Sequence, residues 1–130
     1  MILILRTGTE DNLLELRDIS GNIKFSNTWP ASKLLSEELP GLIEDALSYF
    51  NSKFDNVSGI IVFKGPGSYT GLRIGITVVN AIADQVGAPI VGQTGNNWIE
   101  DGLERLRHGE NDQIVLPEYG GEANITKPRK

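Results

Sequence analysis

The chain has 130 residues, no cysteine, and a net charge of −5 from 12 basic and 17 acidic side chains. That length suits one domain with a substantial core. The missing thiols remove disulfides, thiolate metal sites and cysteine nucleophiles, and the acidic balance gives no bulk attraction for nucleic acid or anionic membrane.

In chain order, "MILIL" stops at Arg6, short of a signal-peptide core, and no run approaches the roughly eighteen apolar residues of a membrane span. A cytoplasmic protein without membrane contact is expected. Residues 2–7, "ILILRT", are too continuously apolar for a half-exposed strand and predict a central strand buried on both faces. "NLLELRD" and "NIKFSNTW" alternate around a turn at Ser20 and Gly21, which predicts a hairpin. From Ala31 to Phe54, Leu35, Leu39, Leu42, Ile43, Ala46, Leu47, Phe50 and Phe54 recur at helical spacing, with Pro40 as a kink or a second start. "VSGIIVF" predicts a second buried strand, residues 69–86 a second helix, "GAPIVG" a further short strand and "NNWIEDGLERLRH" a third, amphipathic helix. Beyond Gly109 the chain is polar except for "QIVLP" and finishes in a basic "TKPRK". These elements make a mixed five-stranded α/β sheet with helices on both faces. We divide the chain into a lobe, 1–109, and a short C-terminal segment, 110–130.

The second helix is apolar on two sides. At about 100° per residue, Leu72, Ile76, Val79 and Ala83 fall on one face and Ile74, Val78 and Ala81 on roughly the opposite one. Gly75 and Ile82 lie between, and Arg73, Thr77, Asn80 and Asp84 form a narrow polar stripe. One apolar face can lie on the sheet; the other needs a cover, from the first helix or from another subunit.

Between the second strand and this helix stands "FKGPGSYTGLRIG", with four glycines and a proline in thirteen residues. Strand, glycines and helix N-terminus together can bind phosphate. Yet the string lacks the Lys-Ser/Thr pair of a P-loop and the acidic partner of a dinucleotide fold. Alternatively Gly65 and Gly67 allow a tight turn, Ser68 or Thr70 caps the helix, and Gly71 and Gly75 let a neighbouring helix backbone come close.

"KGPGSYTGLRIG" closely resembles the signature of the TsaB (YeaZ) family, bacterial proteins needed to make N6-threonylcarbamoyladenosine in transfer RNA. "ILILRTGTE", "SKLLSEELPGLIEDAL", "GAPIVGQTGNNWIE" and "VLPEYGGEANITKPRK" resemble its opening strand, first helix, the strand and helix after the signature, and its C-terminal strand with a basic end. The resemblance implies a single actin/Hsp70-like (RNase H-like) lobe, with the family's second lobe missing here. It also implies a non-catalytic scaffold subunit that pairs through the long helices of its lobe with a TsaD-like enzyme or a second copy. A TsaE-like ATPase is a further implied partner, and transfer RNA is reached only through the complex. No catalytic residue, cofactor or metal is expected. The signature residues are Gly65, Pro66, Gly67, Ser68, Tyr69, Thr70, Gly71, Arg73 and Gly75. The expected interface comprises Leu35, Leu39, Leu42, Gly71, Leu72, Gly75, Ile76, Val79 and Ala83, with the face of Ile74, Val78 and Ile82 as the alternative if that side points outward.

The family's first strand commonly ends in an acid that helps hold a nucleotide-bound metal; Arg6 stands there in this chain, with a structural role or an anion-binding one. The only histidine, His108, lies in a polar stretch far from the first helix, which disfavours both a metal pair and a Ser68-based triad. Glu37, Glu38, Glu44 and Asp45 read as a solvated helix face, and Arg73 as a salt bridge toward Asp84 or a contact to a partner. Two other readings stay open: a small nucleotide-binding ATPase or phosphotransferase using the glycine loop, and a homodimeric structural module.

Overall fold

The computed structural model describes residues 1–34 and 36–120. Among these residues five strands form one mixed sheet: β1 (Ile2–Arg6), β2 (Asp11–Arg17), β3 (Ile23–Pro30), β4 (Gly59–Phe63) and β5 (Ile90–Gln93), in the order β3-β2-β1-β4-β5. β1 runs antiparallel to β2 and parallel to β4, and β5 is parallel to β4. The apolar run at the start of the chain is the central strand, as its composition requires, with Leu3, Ile4 and Leu5 wholly buried. The β2–β3 turn is held by Asp18, whose carboxylate accepts from the amides of Ser20 and Asn22 at 3.0 and 2.9 Å. Those backbone bonds from Asn22 lead the causes that lower the Asp18 pKa.

Among the described residues three α-helices cover the sheet: α1 (Leu39–Ser48), α2 (Tyr69–Val86) and α3 (Trp98–Arg107). α2 packs on the face carrying Leu3, Leu5 and Thr7, and α3 on the face carrying Ile2, Gly59 and Ile61: Gly102 of α3 sits against Ile61 and Leu106 against Gly59. α2 matches the predicted span and is bounded by Ser68, whose Oγ accepts from Gly71 N, and by Gly87 with φ of 72°.

The first helix is shorter than its apolar spacing suggested. Residues 31–33 form a 3-10 turn, and α1 runs only from Leu39 to Ser48. Pro40 falls in its first turn, where a missing N–H costs nothing, so it starts the helix instead of kinking it. Asn51, with φ of 52°, turns the chain out of it, and Phe54 lies in a second 3-10 turn, Phe54–Asn56.

β2 is also more deeply buried than its alternation implied. Leu14 and Leu16 belong to the core, and on the opposite face Glu15 is only 4% exposed. The Glu15 carboxylate accepts from Arg17 Nε at 2.6 Å and from Ser26 Oγ at 3.0 Å, so the charge is matched where it is desolvated. Arg17 also reaches Glu100 of α3 at 3.1 Å.

Residues 110–119 form no strand; they run as a strap along β5 and α2. Asn111 Oδ1 accepts from Ile90 N at 3.0 Å, Asp112 Oδ2 from Gly92 N at 2.9 Å, and Asp112 N donates to Ile90 O at 2.8 Å. Val115, in the short apolar run, is buried against Gly92, while Ile114 and Leu116 point outward. The basic end, "TKPRK", lies outside the described residues.

Candidate functional site: the glycine turn and the outer face of α2

The glycine turn is filled by the chain itself. A side chain at Gly65, whose φ is 134°, would run into the Glu118 carbonyl of the strap. One at Gly67 would stand 2.6 Å from Gly8 O, and one at Gly71 2.6 Å from Ser68 Oγ and 2.7 Å from Gly8 Cα. At Gly75 it would collide with Thr7 Oγ1. Thr7 Oγ1 donates to Gly71 O at 2.7 Å and Ser68 N donates to Gly8 O at 2.8 Å. The turn after β1 and the start of α2 are thus interlocked. The neighbour that approaches Gly71 and Gly75 is this turn, not a helix of another subunit.

The rest of the signature is held from outside. The Gly65–Pro66 peptide is cis. Glu118 N donates to Lys64 O at 2.7 Å, and Tyr119 lies on Tyr69 with ring centroids 4.7 Å apart. Arg73 reaches back one turn, its guanidinium 5.3 Å from the Tyr69 ring centroid and Nη1 3.4 Å from Tyr69 Oη. It therefore joins an aromatic stack and not Asp84. Thr70 is exposed on the first turn.

The expected interface list needs correcting. Leu39, Leu72, Ile76, Val79 and Ala83 are core residues, with Leu39, Leu72 and Val79 entirely buried. Leu39 is buried at the start of α1, and the four α2 residues face the sheet because Gly71 and Gly75 bring that side of α2 down onto Thr7 and Gly8. Gly71 and Gly75 leave the list for the same reason. Leu42 is 41% exposed and remains available, and Leu35 lies outside the described residues. The opposite side of α2 is the outer one: Ile74 and Val78 are half-buried and Ala81 is exposed, although Ile82 is buried. Ser36, Tyr69, Thr70, Arg73, Ile74, Thr77 and Val78 line a shallow cavity of about 300 Å³ on this face. Wheel geometry identified the two faces; only the glycine contacts tell which is inward.

The remaining candidates do not converge. His108 ends α3, where its Nδ1 is 2.9 Å from Glu104 O; Leu106, two residues before it, packs at Gly59, the end of β4 remote from Ser68. Glu37, Glu38, Glu44 and Asp45 are all exposed. Among the described residues no group of three or more His, Asp or Glu is placed to hold a metal. Arg6 makes no ion pair among them; its Nε donates to Asp11 O at 3.3 Å.

The family described as TsaD, tRNA N6-adenosine threonylcarbamoyltransferase, matches over residues 29–94, just over half of the chain. The chain belongs to the TsaD and TsaB (YeaZ) family. It is 32% identical over 95 residues to the tRNA N6-adenosine threonylcarbamoyltransferase of Bacillus thuringiensis (strain Al Hakam), covering 70% of this chain and 27% of that protein. The enzyme of the same description from Lactobacillus gasseri is 27% identical over 92 residues, 68% of this chain and 26% of its own length. YeaZ from Pseudomonas aeruginosa superposes with a TM-score of 0.64 at 28% identity, over 72% of this chain and 43% of that one. The chain thus spans about a quarter of the curated relatives it matches.

The stretch matched to the TsaD family runs from the end of β3 through β5. It includes α1, the glycine turn and all of α2, so the outer face lies within the part that carries the family likeness. β1 with Arg6, and the strap, lie outside it. Among the described residues no helix is long and apolar enough to cross a membrane.

Proposed function

We propose that this chain is a non-catalytic partner subunit in threonylcarbamoyl modification of transfer-RNA adenosine, docking on a TsaD-like enzyme through the outer face of α2 together with Leu42. The observation that carries this reading is the second apolar face of α2. The sheet takes Leu72, Ile76, Val79 and Ala83, while Ile74, Val78 and Ala81 stay at least partly open, as does Leu42 of α1. Small and branched side chains on a helix of eighteen residues suit packing against another helix, and the cavity beside Tyr69 and Arg73 offers a socket at its edge. The rival reading, a nucleotide-binding enzyme built on the glycine loop, loses support because that loop is closed by Gly8, Leu72 and Glu118. On this reading transfer RNA is met only through the complex, and the site of action is the cytoplasm.

The test mixes the purified chain with the TsaD-like protein of the same organism and measures mass by light scattering, with Ile74→Glu and Val78→Glu alongside. A stoichiometric complex with the native chain that both variants abolish is the expected result. No complex with the native chain would overturn the reading; a lone dimer broken by the same variants would replace it with self-association. Ile76→Glu and Val79→Glu serve as contrasts, since a charge placed in the core should unfold the chain itself.

A further inference from the structure

Among the described residues β3 ends the sheet, and one proline fixes which of its backbone groups lie open. Pro30 stands opposite Asp11 with no N–H to give, while Ala31 N donates to Glu10 O at 3.0 Å. From there the register runs unbroken to the pair of Leu16 and Phe25. Phe25, Asn27 and Trp29 therefore turn their backbone groups toward β2, and Ser26 and Thr28 turn theirs off the sheet. Among the described residues nothing bonds to those outward groups.

The side chains around Asn27 read alike in both directions. Each way gives a hydroxyl, Ser26 or Thr28, and then a large aromatic ring, Phe25 or Trp29. The two rings are half-buried and share the face of Leu14 and Leu16 with the exposed Asn27. Tyr49, 76% exposed, stacks on Phe25 with centroids 6.2 Å apart and widens this aromatic border. A second β3 laid antiparallel and centred on Asn27 sets Ser26 opposite Thr28 and Phe25 opposite Trp29, each pair occurring twice by symmetry. The first pair exchanges both backbone bonds. The second is of the non-hydrogen-bonded kind, with Cα atoms about 4.5 Å apart, where cross-strand rings come closest. Centring on Ser26 or Thr28 keeps the bonding phase but wastes a ring on Asn27.

We propose that the open edge of β3 is a docking surface for a second copy of this chain, paired antiparallel about Asn27 into one continuous sheet. The occupant is the same chain because the strand complements its own reversal, with Lys24 falling opposite Pro30 so that no like charges meet. Lys24, beside the register shift at Leu16 and Arg17, and Pro30 at the other end confine pairing to the residues between them. A two-fold pairing uses the edge of both copies and so closes at two. This surface is separate from the outer face of α2, and the inference stands whether or not the partner reading holds.

The experiment follows the mass of the purified chain by sedimentation equilibrium up to millimolar concentration at low ionic strength, for the native chain, Asn27→Asp, Asn27→Lys and an equimolar mixture of the two variants. Asn27 is exposed, so both substitutions leave the fold intact. Each sets like charges against each other at the two-fold axis and should weaken dimerisation about fivefold or more; the mixture, with opposite charges there, should recover it. Hydrogen exchange reads the same pairing: the amides of Ser26 and Thr28 should slow as the dimer forms, while that of Asn27 is slow throughout. A monomer at millimolar concentration, single variants as dimeric as the native chain, or a mixture no tighter than its components would overturn the proposal. Ile74→Glu and Val78→Glu should leave this dimer whole, and a dimer that they break would place self-association on α2 and overturn it as well.

Discussion

Asn80 of α2 holds Val115 by both backbone groups: its side-chain amide donates to Val115 O and its side-chain oxygen accepts from Val115 N, each at 2.9 Å. An extended segment is thereby fixed to a helix as though paired with a strand. Asn80→Ala should cost about 1–3 kcal/mol and raise hydrogen exchange at the Val115 amide while the β1 amides stay protected. Unchanged melting and exchange would show that the strap is held elsewhere.

The other anchor of the strap is ionic. Arg105 donates to Asp112 through Nη2 at 2.5 Å and Nη1 at 3.1 Å, and to Glu110 through Nε at 2.6 Å. The hydrogen bond from Arg105, helped by Gly92 N, lowers the Asp112 pKa, and the same contact raises that of Arg105, which stays charged throughout. Because the folded carboxyl releases its proton more readily than the unfolded one, its stabilisation is complete above the ordinary carboxylate value of about 4. It is lost as pH falls through the lower folded value. Melting temperatures should therefore drop on acidification more steeply for the native chain than for Asp112→Asn, the two curves converging at low pH. Parallel curves would remove Asp112 from the account.

The lock between β1 and α2 rests on Gly75 and Thr7. Alanine favours a helix over glycine by about 1 kcal/mol, but here its methyl would strike Thr7 Oγ1 and Cγ2. Gly75→Ala should thus destabilise by about 1–3 kcal/mol, and adding Thr7→Ala should cost less than Thr7→Ala does alone, because the methyl then fills the space vacated. Additive losses in the double mutant would mean that the two residues do not press on each other.

The sheet, its five strands and the span of α2 were legible in the sequence, because "ILILR" and "GIIVF" leave no polar face and residues 69–86 are apolar on two helical faces; that Ser68 and not Thr70 caps the helix was not. The extent of α1 was not: Phe50 and Phe54 keep helical spacing while the backbone at Asn51 has left the helix. Nor was the depth of Glu15, since a lone acid in an alternating strand reads as solvated until Arg17 and Ser26 are seen to enclose it. For α2 the pattern revealed two apolar faces but not their direction. That choice is made by Thr7 and Gly8, more than sixty residues away in sequence, and no local period carries it.

Asn111 and Asp112 have a consequence beyond anchoring. The donors of Ile90 and Gly92 and the acceptor of Ile90, which point away from β4, are already taken by the strap. An extended segment of another molecule arriving there finds no hydrogen bonds to make, so β-sheet growth from copy to copy is blocked on this side. Acid that protonates Asp112 would loosen, of these bonds, only the one to Gly92, beside the outward Ile114 and Leu116, while Asn111 Oδ1 and the Asp112 backbone amide keep Ile90 covered, so the border stays guarded even where its charge is lost.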